Sequence, residues 1–397
     1  MSSKFCILPF IHLDIQPDGN VFACCHSNDP EVVGNLHEKP LAEIWESKVL
    51  NTFQEHFLSD GKLPPHCNDC LFYESVGAPS WREVENKNWQ HIERDQLKSD
   101  RFKSPRSIGI RFSNLCNFAC RTCKPAASTS FIKDAKFLYP KGRFEKLNSA
   151  PSHNPLKTQI EPFLKDLQHV GFAGGEPLLE KEHYEILDLL IETNPDVELS
   201  YDTNLSVLGL GKFNAIEQWR KLKNVNLSGS ADGFGSKGEF IRNGLNWNKF
   251  VENWNLVKKE LPHVRMKMNF TLSVYNMFHV LEFVEEVQRL GLFDDNDPND
   301  LTISLVEEPR FLSLQSLPKG IKETVQDRYQ AFINECTFGK VARDLQAAIK
   351  FMNGQDTSSL FPSFLAYNKK LDFLRSETFD KLFVEEGQLF DQFKKIG

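Results

Sequence analysis

Three cysteines within eight residues, Cys116, Cys120 and Cys123 in Cys-Asn-Phe-Ala-Cys-Arg-Thr-Cys, carry the clearest chemistry in this sequence. A [4Fe–4S] cubane needs four ligands, so three thiolates on one short loop leave the fourth iron open to a non-protein ligand that can react there. Zinc is the alternative occupant, although it commonly takes two close cysteine pairs and no fourth ligand lies near this loop. A second set, Cys6, Cys24, Cys67 and Cys70, is separated by seventeen, forty-two and two residues. Four thiolates would fill every corner of a cubane and leave no iron open for substrate, the arrangement of an electron relay or a structural staple. A zinc knuckle and a disulfide framework are its alternatives. Cys25 adjoins Cys24, and strand neighbours point to opposite faces, so the two cannot reach one iron without a bulge. The ninth cysteine, Cys336, falls in helical phase with Tyr329, Phe332 and Ile333 and reads as a core thiol.

The short β-type run Ile108-Gly-Ile110-Arg-Phe112 stands directly before the first cysteine loop, and the apolar run His169–Ala173 runs into Gly174-Gly175-Glu176-Pro177. Together they resemble the cysteine loop and GGEP motif of the radical S-adenosylmethionine (SAM) superfamily. The resemblance implies that the three thiolates hold a [4Fe–4S] cluster and that Gly174, Gly175, Glu176 and Pro177 hold the methionine ammonium of SAM. By position it implies further SAM contacts at Thr203, Asn204, Ser230, Asp232 and Arg242. Thr122 departs from the family, which usually has an aromatic residue before the third cysteine, where it shapes the adenine site. The N-terminal set, with Gly19 four residues short of Cys24, Pro17-Asp-Gly19 as a turn and Gly34-Asn35-Leu36 before an amphipathic helix, resembles a twitch domain, the shortened relative of the SPASM module. The glycine spacing assigns Cys24 as ligand rather than Cys25, and the implied occupant is an auxiliary [4Fe–4S] cluster. Such modules mostly follow the catalytic barrel; here the module precedes it.

These motifs need strands and turns to position them. Short apolar strands at 107–112, 169–173, 197–202, 224–229, 265–272 and 301–306 alternate with amphipathic helices, the pattern of a parallel α/β sheet. Ligands of such sheets bind at the carboxyl ends of the strands, where the motif residues fall. The fold class is therefore α/β, with the six strands matching the partial (β/α)6 barrel that the resemblance implies. The expected organisation is a cysteine module at 1–90, a charged linker at 91–104, the barrel at 105–310 and a helical region at 311–397. One amphipathic helix is expected through Leu41, Ile44, Trp45, Val49, Phe53 and Phe57, and helices after Pro318, interrupted near Gly354. The Pro-bearing connection 124–156 is long enough to be functional or disordered. Of 33 phenylalanines, those of the C-terminal region read mainly as core.

The chain has 397 residues, 40% apolar and 25% charged, with a net charge of −7, an ordinary globular composition that implies two or three domains. The negative balance argues against a broad nucleic-acid surface. No apolar run approaches the roughly 20 residues of a membrane span, and one lysine before Cys6 with no clear cleavage site does not support a secretory signal. Retained thiolates and oxygen-sensitive clusters point to the cytoplasm.

The reading is a radical SAM enzyme with two [4Fe–4S] clusters, fed by a flavodoxin or ferredoxin, that makes a 5′-deoxyadenosyl radical and removes hydrogen from a peptide or protein. A small-molecule dehydrogenase acting on a sugar or aminocyclitol is the alternative enzyme, and a zinc or Fe–S interaction protein the alternative of another class. The chain begins close to Cys6, leaving no room for an N-terminal peptide-recognition module. Glu308, Arg310 and Tyr201 are candidate catalytic residues, as polar side chains at strand ends able to bind substrate or move a proton.

Overall fold

The computed structural model of the protein describes residues 5–24, 32–58, 63–64, 67–75, 80–99, 101–292 and 300–394. Its contacts divide the chain into two compact units, one of residues 1–115, 146–201 and 209–225, the other of 116–145, 202–208 and 226–397.

In the first unit a hairpin of β1 (His12–Ile15) and β2 (Asn20–Phe22) is extended by β3 (Val32–Asn35), all antiparallel. Gly19 closes the hairpin turn with φ +84°, a conformation glycine adopts without steric cost. On its other edge β1 pairs in parallel with β4 (Ser107–Ile110), His12 opposite Ser107. Parallel pairing continues to β5 (His169–Phe172) and β6 (Glu198–Thr203). The cysteine module's strands and the first barrel strands therefore share one hydrogen-bonded ladder. The stretch 91–104, expected as a linker, carries the helix Arg94–Ser99 with Leu97 fully buried. The single helix expected from 41 to 57 is two, Leu41–Trp45 and Lys48–Leu58. The Ser47 hydroxyl accepts the Leu50 N–H (3.2 Å), restarting the helix as an N-cap does and leaving Val49 exposed.

In the second unit β7 (Asn224–Ser230), β8 (Arg265–Leu272) and β9 (Leu301–Leu305) are parallel neighbours. Along β8, Met266, Met268, Phe270 and Leu272 are buried, while Arg265, Lys267, Asn269 and Thr271 alternate on a more open face. A sheet covered by apolar layers on both faces would read as continuous hydrophobics; this alternation gives one face to packing and one to polar chemistry. The packing face meets the helices Trp247–Glu260 and His279–Arg289, with Phe270 and Phe283 at 4.8 Å between ring centres. The first unit repeats the scheme. On its polar face a ladder of hydrogen bonds crosses four strands: His12 Nδ1 to Ser107 Oγ (2.8 Å), Ser107 Oγ to His169 Nδ1 (3.0 Å), His169 Nε2 to Ser200 Oγ (2.8 Å).

The six expected barrel strands are all present, within two residues at each end. The connection 124–156 is ordered and carries the helix Ile132–Leu138. Beyond Pro318 the chain is helical, with Lys319–Glu335, Gly339–Gly354, Phe361–Arg375, Phe379–Leu382 and Val384–Lys394. Phe361, Phe364, Phe379, Phe383 and Phe390 are buried together, as core phenylalanines. Cys336 is not inside its helix: the helix ends at Glu335, the backbone turns extended, and the half-buried thiol stands 3.6 Å from the Phe338 carbonyl.

Candidate functional site

The loop Cys116–Cys123 is folded by short local bonds within the second unit. The Cys123 N–H donates to the Cys120 carbonyl (3.0 Å), Ser130 Oγ to the Cys116 carbonyl (2.7 Å) and Ser128 Oγ to the Phe118 carbonyl (2.5 Å). Cys120 pairs across a two-residue ladder with Arg242. Burial pushes the Cys120 thiol up to about 12, opposed by the Arg242 guanidinium, and the negative charges of Cys123 and Cys116 push it the same way as burial. The three thiols thus lie within electrostatic reach of one another. Binding of iron supplies the positive charge that ionises such a set.

Arg242 is the fixed cation of this neighbourhood. Asp232, fully buried, accepts from Arg242 Nη1 (3.1 Å) and from the Thr271 N–H (2.9 Å), so the backbone end of β8 fixes the carboxylate that fixes the guanidinium. Burial disfavours the charge on Arg242, but Cys120 and Asp232 outweigh it and hold the group firmly protonated. Asn204 also reaches the loop, its amide nitrogen 2.9 Å from Asn117 Oδ1 and 3.9 Å from Cys116 Sγ. Thr203 turns its hydroxyl to the Leu205 N–H (3.0 Å), supporting a residue at φ +53°. Ser230 ends β7 half-buried.

Reading residues by type missed Arg121. Lying between Cys120 and Thr122, it is completely buried, with its guanidinium carbon 3.6 Å from the centre of the Phe240 ring. It bonds Asn368 Oδ1 (2.8 Å), Asp372 Oδ1 (2.6 Å) and Glu377 Oε2 (2.6 Å), all from the C-terminal helical region. The Tyr367 hydroxyl donates to the Arg121 carbonyl (2.9 Å), and Arg375 Nη2 to the Ala119 carbonyl (2.6 Å). An arginine inside a thiolate loop is a usable signal in hindsight, but its acidic partners lie some 250 residues away.

In the first unit, Gly174 and Gly175 take φ +68° and +53°. The Glu176 N–H donates to the Leu115 carbonyl (2.7 Å), and the buried Glu176 carboxylate accepts the Leu178 N–H (3.1 Å) at the start of the turn Pro177–Leu179. A Cβ on Gly175 would stand 2.4 Å from the Leu115 carbonyl oxygen, a backbone atom that cannot swing away. The turn therefore packs against the Leu115 backbone so closely that only glycine fits. Left-handed backbone alone costs an L-residue about 1–2 kcal/mol, and the collision adds to it. Gly175→Ala is therefore expected to weaken SAM binding by about tenfold or more in equilibrium dialysis. Gly211→Ala, also at positive φ but with nothing within 4 Å, should leave SAM binding unchanged.

The second cysteine set is brought together completely. Cys6, Cys24, Cys67 and Cys70 line one pocket of the first unit with Leu8, Pro9, Phe53, Phe57, Trp81 and Arg82. Among the described residues no three His, Cys, Asp or Glu side chains converge on a single-ion position; the thiols instead ring a space of mostly apolar walls. Burial, then the charge of Cys24, raises Cys67 to about 12, and burial raises Cys6 and Cys70 as well. Arg82, buried and bound through Nη2 to both Glu74 oxygens at 2.8 Å, is the cation at this pocket. Four thiols and a cation fit an anionic cluster. Cys25 lies outside the described residues.

The candidate catalytic residues scatter. Tyr201 stands on the packing face of β6, its hydroxyl bonded to His183 Nε2 (2.9 Å) and its ring against Phe172 and Trp219, so strand alternation assigns it to the core. Burial keeps His183 neutral, its pKa pushed down to about 3. Glu308 and Arg310 are exposed, linked by an Arg310 N–H to Glu308 Oε2 bond (3.2 Å).

Comparison with known proteins finds a domain match over each of the two cysteine sets. Residues 6–71 match the SPASM iron–sulfur cluster-binding domain, and residues 110–287 match the radical SAM superfamily. A GTP 3′,8-cyclase of Mycobacterium ulcerans (strain Agy99) is 28% identical over 130 residues, about a third (32%) of each chain. Among solved structures, anSMEcpe with bound AdoMet and Cp18Cys peptide has a TM-score of 0.39 at 17% identity, covering 58% of this chain and 61% of that one. Streptococcus suis SuiB bound to precursor peptide SuiA has a TM-score of 0.40 at 14% identity, covering 74% and 62%. No helix among the described residues is long and apolar enough to cross a membrane. With a three-thiol loop followed by a glycine turn and a four-thiol pocket ahead of both, this chain carries a domain of the radical SAM superfamily over residues 110–287, with a SPASM iron–sulfur cluster-binding domain on its N-terminal side.

Proposed function

We propose that the protein cleaves SAM reductively and removes a hydrogen atom from a peptide or protein substrate, with two [4Fe–4S] clusters, one on Cys116, Cys120 and Cys123 and one on Cys6, Cys24, Cys67 and Cys70. The observation that carries this reading is the difference between the two thiol sets: three on one loop, which leaves an open iron, and four around one pocket, which does not. Bound together, the first cluster and SAM supply a 5′-deoxyadenosyl radical. Gly174 to Pro177 would hold the methionine ammonium by backbone and carboxylate, and the locked Arg242 suits a carboxylate partner. Asn204 orients the loop through Asn117. Arg82 offsets the charge of the auxiliary cluster, whose role is to carry an electron from or to the substrate radical. A peptide is preferred because modules of this kind accompany enzymes that modify ribosomal peptides and protein side chains. A flavodoxin or ferredoxin suits the role of electron donor, and oxygen-sensitive clusters suit the reducing cytoplasm.

Anaerobic reconstitution tests the reading. The expected result is about eight irons per chain, two cubanes, with 5′-deoxyadenosine formed from SAM under strong reductant. Zinc at both sites with no SAM cleavage would overturn it. A short peptide encoded beside the enzyme is the first substrate to try, with mass loss of two hydrogens or a new crosslink as the signal.

A further inference from the structure

Phe373 breaks the pattern of its own helix. Phe361 and Phe364 of the helix Phe361–Arg375 are buried, yet Phe373 is 78% exposed, more than any other large apolar side chain among the described residues. It stacks on Phe137 of the helix Ile132–Leu138, with ring centres 6.2 Å apart and planes 23° from parallel. Phe137 is itself 41% exposed and Tyr139, two residues on, 47%. Three unpaired lysines flank this pair, while the neighbouring acids Asp134, Asp372 and Glu377 are taken up by Arg375 and Arg121. Lys369 and Lys370 precede Phe373 by four and three residues, and Lys133 precedes Phe137 by four, so each lies on the same helix face as its aromatic. All three lysines are exposed, and none makes an ion pair among the described residues. In a chain of net charge −7, an aromatic patch ringed by unpaired lysines suits a partner that is acidic around an apolar centre.

The same two helices grip the cysteine loop. Arg375 ties Asp134 of the shorter helix to the Ala119 carbonyl, and Arg121 is held by Asn368 and Asp372 of the longer one. A partner seated on Phe137 and Phe373 therefore rests on the elements that hold Cys120. We infer that this patch docks an acidic one-electron carrier protein of flavodoxin type, an inference that rests on the reading given under Proposed function. Cys116, Cys120 and Cys123 would hold the cluster that takes one electron from the donor's reduced flavin, leaving the flavin oxidised by one electron, with no bond made or broken.

The test uses the reconstituted full chain and a purified flavodoxin, with Phe373→Ala and the double variant Lys369→Glu/Lys370→Glu. Calorimetry is expected to show binding of oxidised flavodoxin weakened by about tenfold or more in each, and wild-type binding falling as ionic strength rises. SAM cleavage driven by reduced flavodoxin should fall in parallel, while cleavage driven by dithionite and the unfolding temperature stay at wild-type values. Unchanged flavodoxin binding and turnover in both variants would overturn the assignment. So would a variant that converts a dimer to a monomer in sedimentation, which would give the patch to a second copy of the chain. If wild-type protein cleaves no SAM even with dithionite, the functional reading fails on its own, and the binding measurement still decides the docking site.

Discussion

Cys120→Ala is expected to abolish SAM cleavage and lower bound iron from about eight to about four per chain, because two thiolates cannot hold a cubane that needs three from the protein. The loss should be selective. Cys120 is buried in a ladder opposite Arg242 in the second unit, whereas the four-thiol pocket belongs to the first. Removing a small buried thiol leaves a gap of only one heavy atom, so the protein should remain folded and keep the auxiliary signal in electron paramagnetic resonance. The companion change, Cys67→Ala, should invert the result, sparing part of the SAM cleavage while ending product formation. Equal and total loss of SAM cleavage from both variants, in folded protein, would contradict separate roles for the two sites.

The second large effect is expected at Arg121. Deleting one member of a buried ion-paired network commonly costs about 3–5 kcal/mol, because the remaining charges are left without compensation. Here Asp372 and Glu377 keep 17% and 24% exposure, so water can reach them once the guanidinium is gone. Arg121→Leu should therefore fall at the low end, about 3 kcal/mol. Beyond stability, it releases the Cys120–Cys123 segment from Asn368 and the two acids, so the cluster signal should broaden and its iron become easier to extract with a chelator. Arg121→Lys retains the charge but not the fork that meets three partners at once, and should restore the unfolding temperature more than the chelator resistance. Wild-type chelator kinetics in a folded Arg121→Leu variant would show that the C-terminal helices do not hold the loop.

The Arg121 clamp also marks the boundary between local and tertiary information. Sequence alone reached what is written in short spacing: the three thiols of Cys116 to Cys123, the Gly174-Gly175-Glu176-Pro177 turn, and the six strands, whose apolar runs are bounded by turn residues. Each is set by a few neighbouring side chains, and strands buried on one face show their period in the residues themselves. The four cysteines from Cys6 to Cys70 were legible too, since a cluster's ligands can be counted without knowing the path between them.

What only the tertiary structure decided depends on which face a residue takes and on contacts far apart in the chain. Tyr201 and Asp202 look alike as polar strand-end residues, but strand alternation buries Tyr201 against Phe172 and Trp219 and leaves Asp202 exposed. The helix expected from 41 to 57 broke at Ser47 because one hydroxyl found a backbone N–H, an outcome that apolar spacing does not encode. The pairing of β1 with β4 joins segments about 95 residues apart, and parallel neighbours need no turn that a sequence could display. Arg121 meets Asp372 and Glu377, and Phe373 stays in solvent while its helix partners pack, because the C-terminal helices return to the cysteine loop. Burial of that guanidinium and exposure of that ring are properties of the assembled fold, and no local pattern in the sequence carries either.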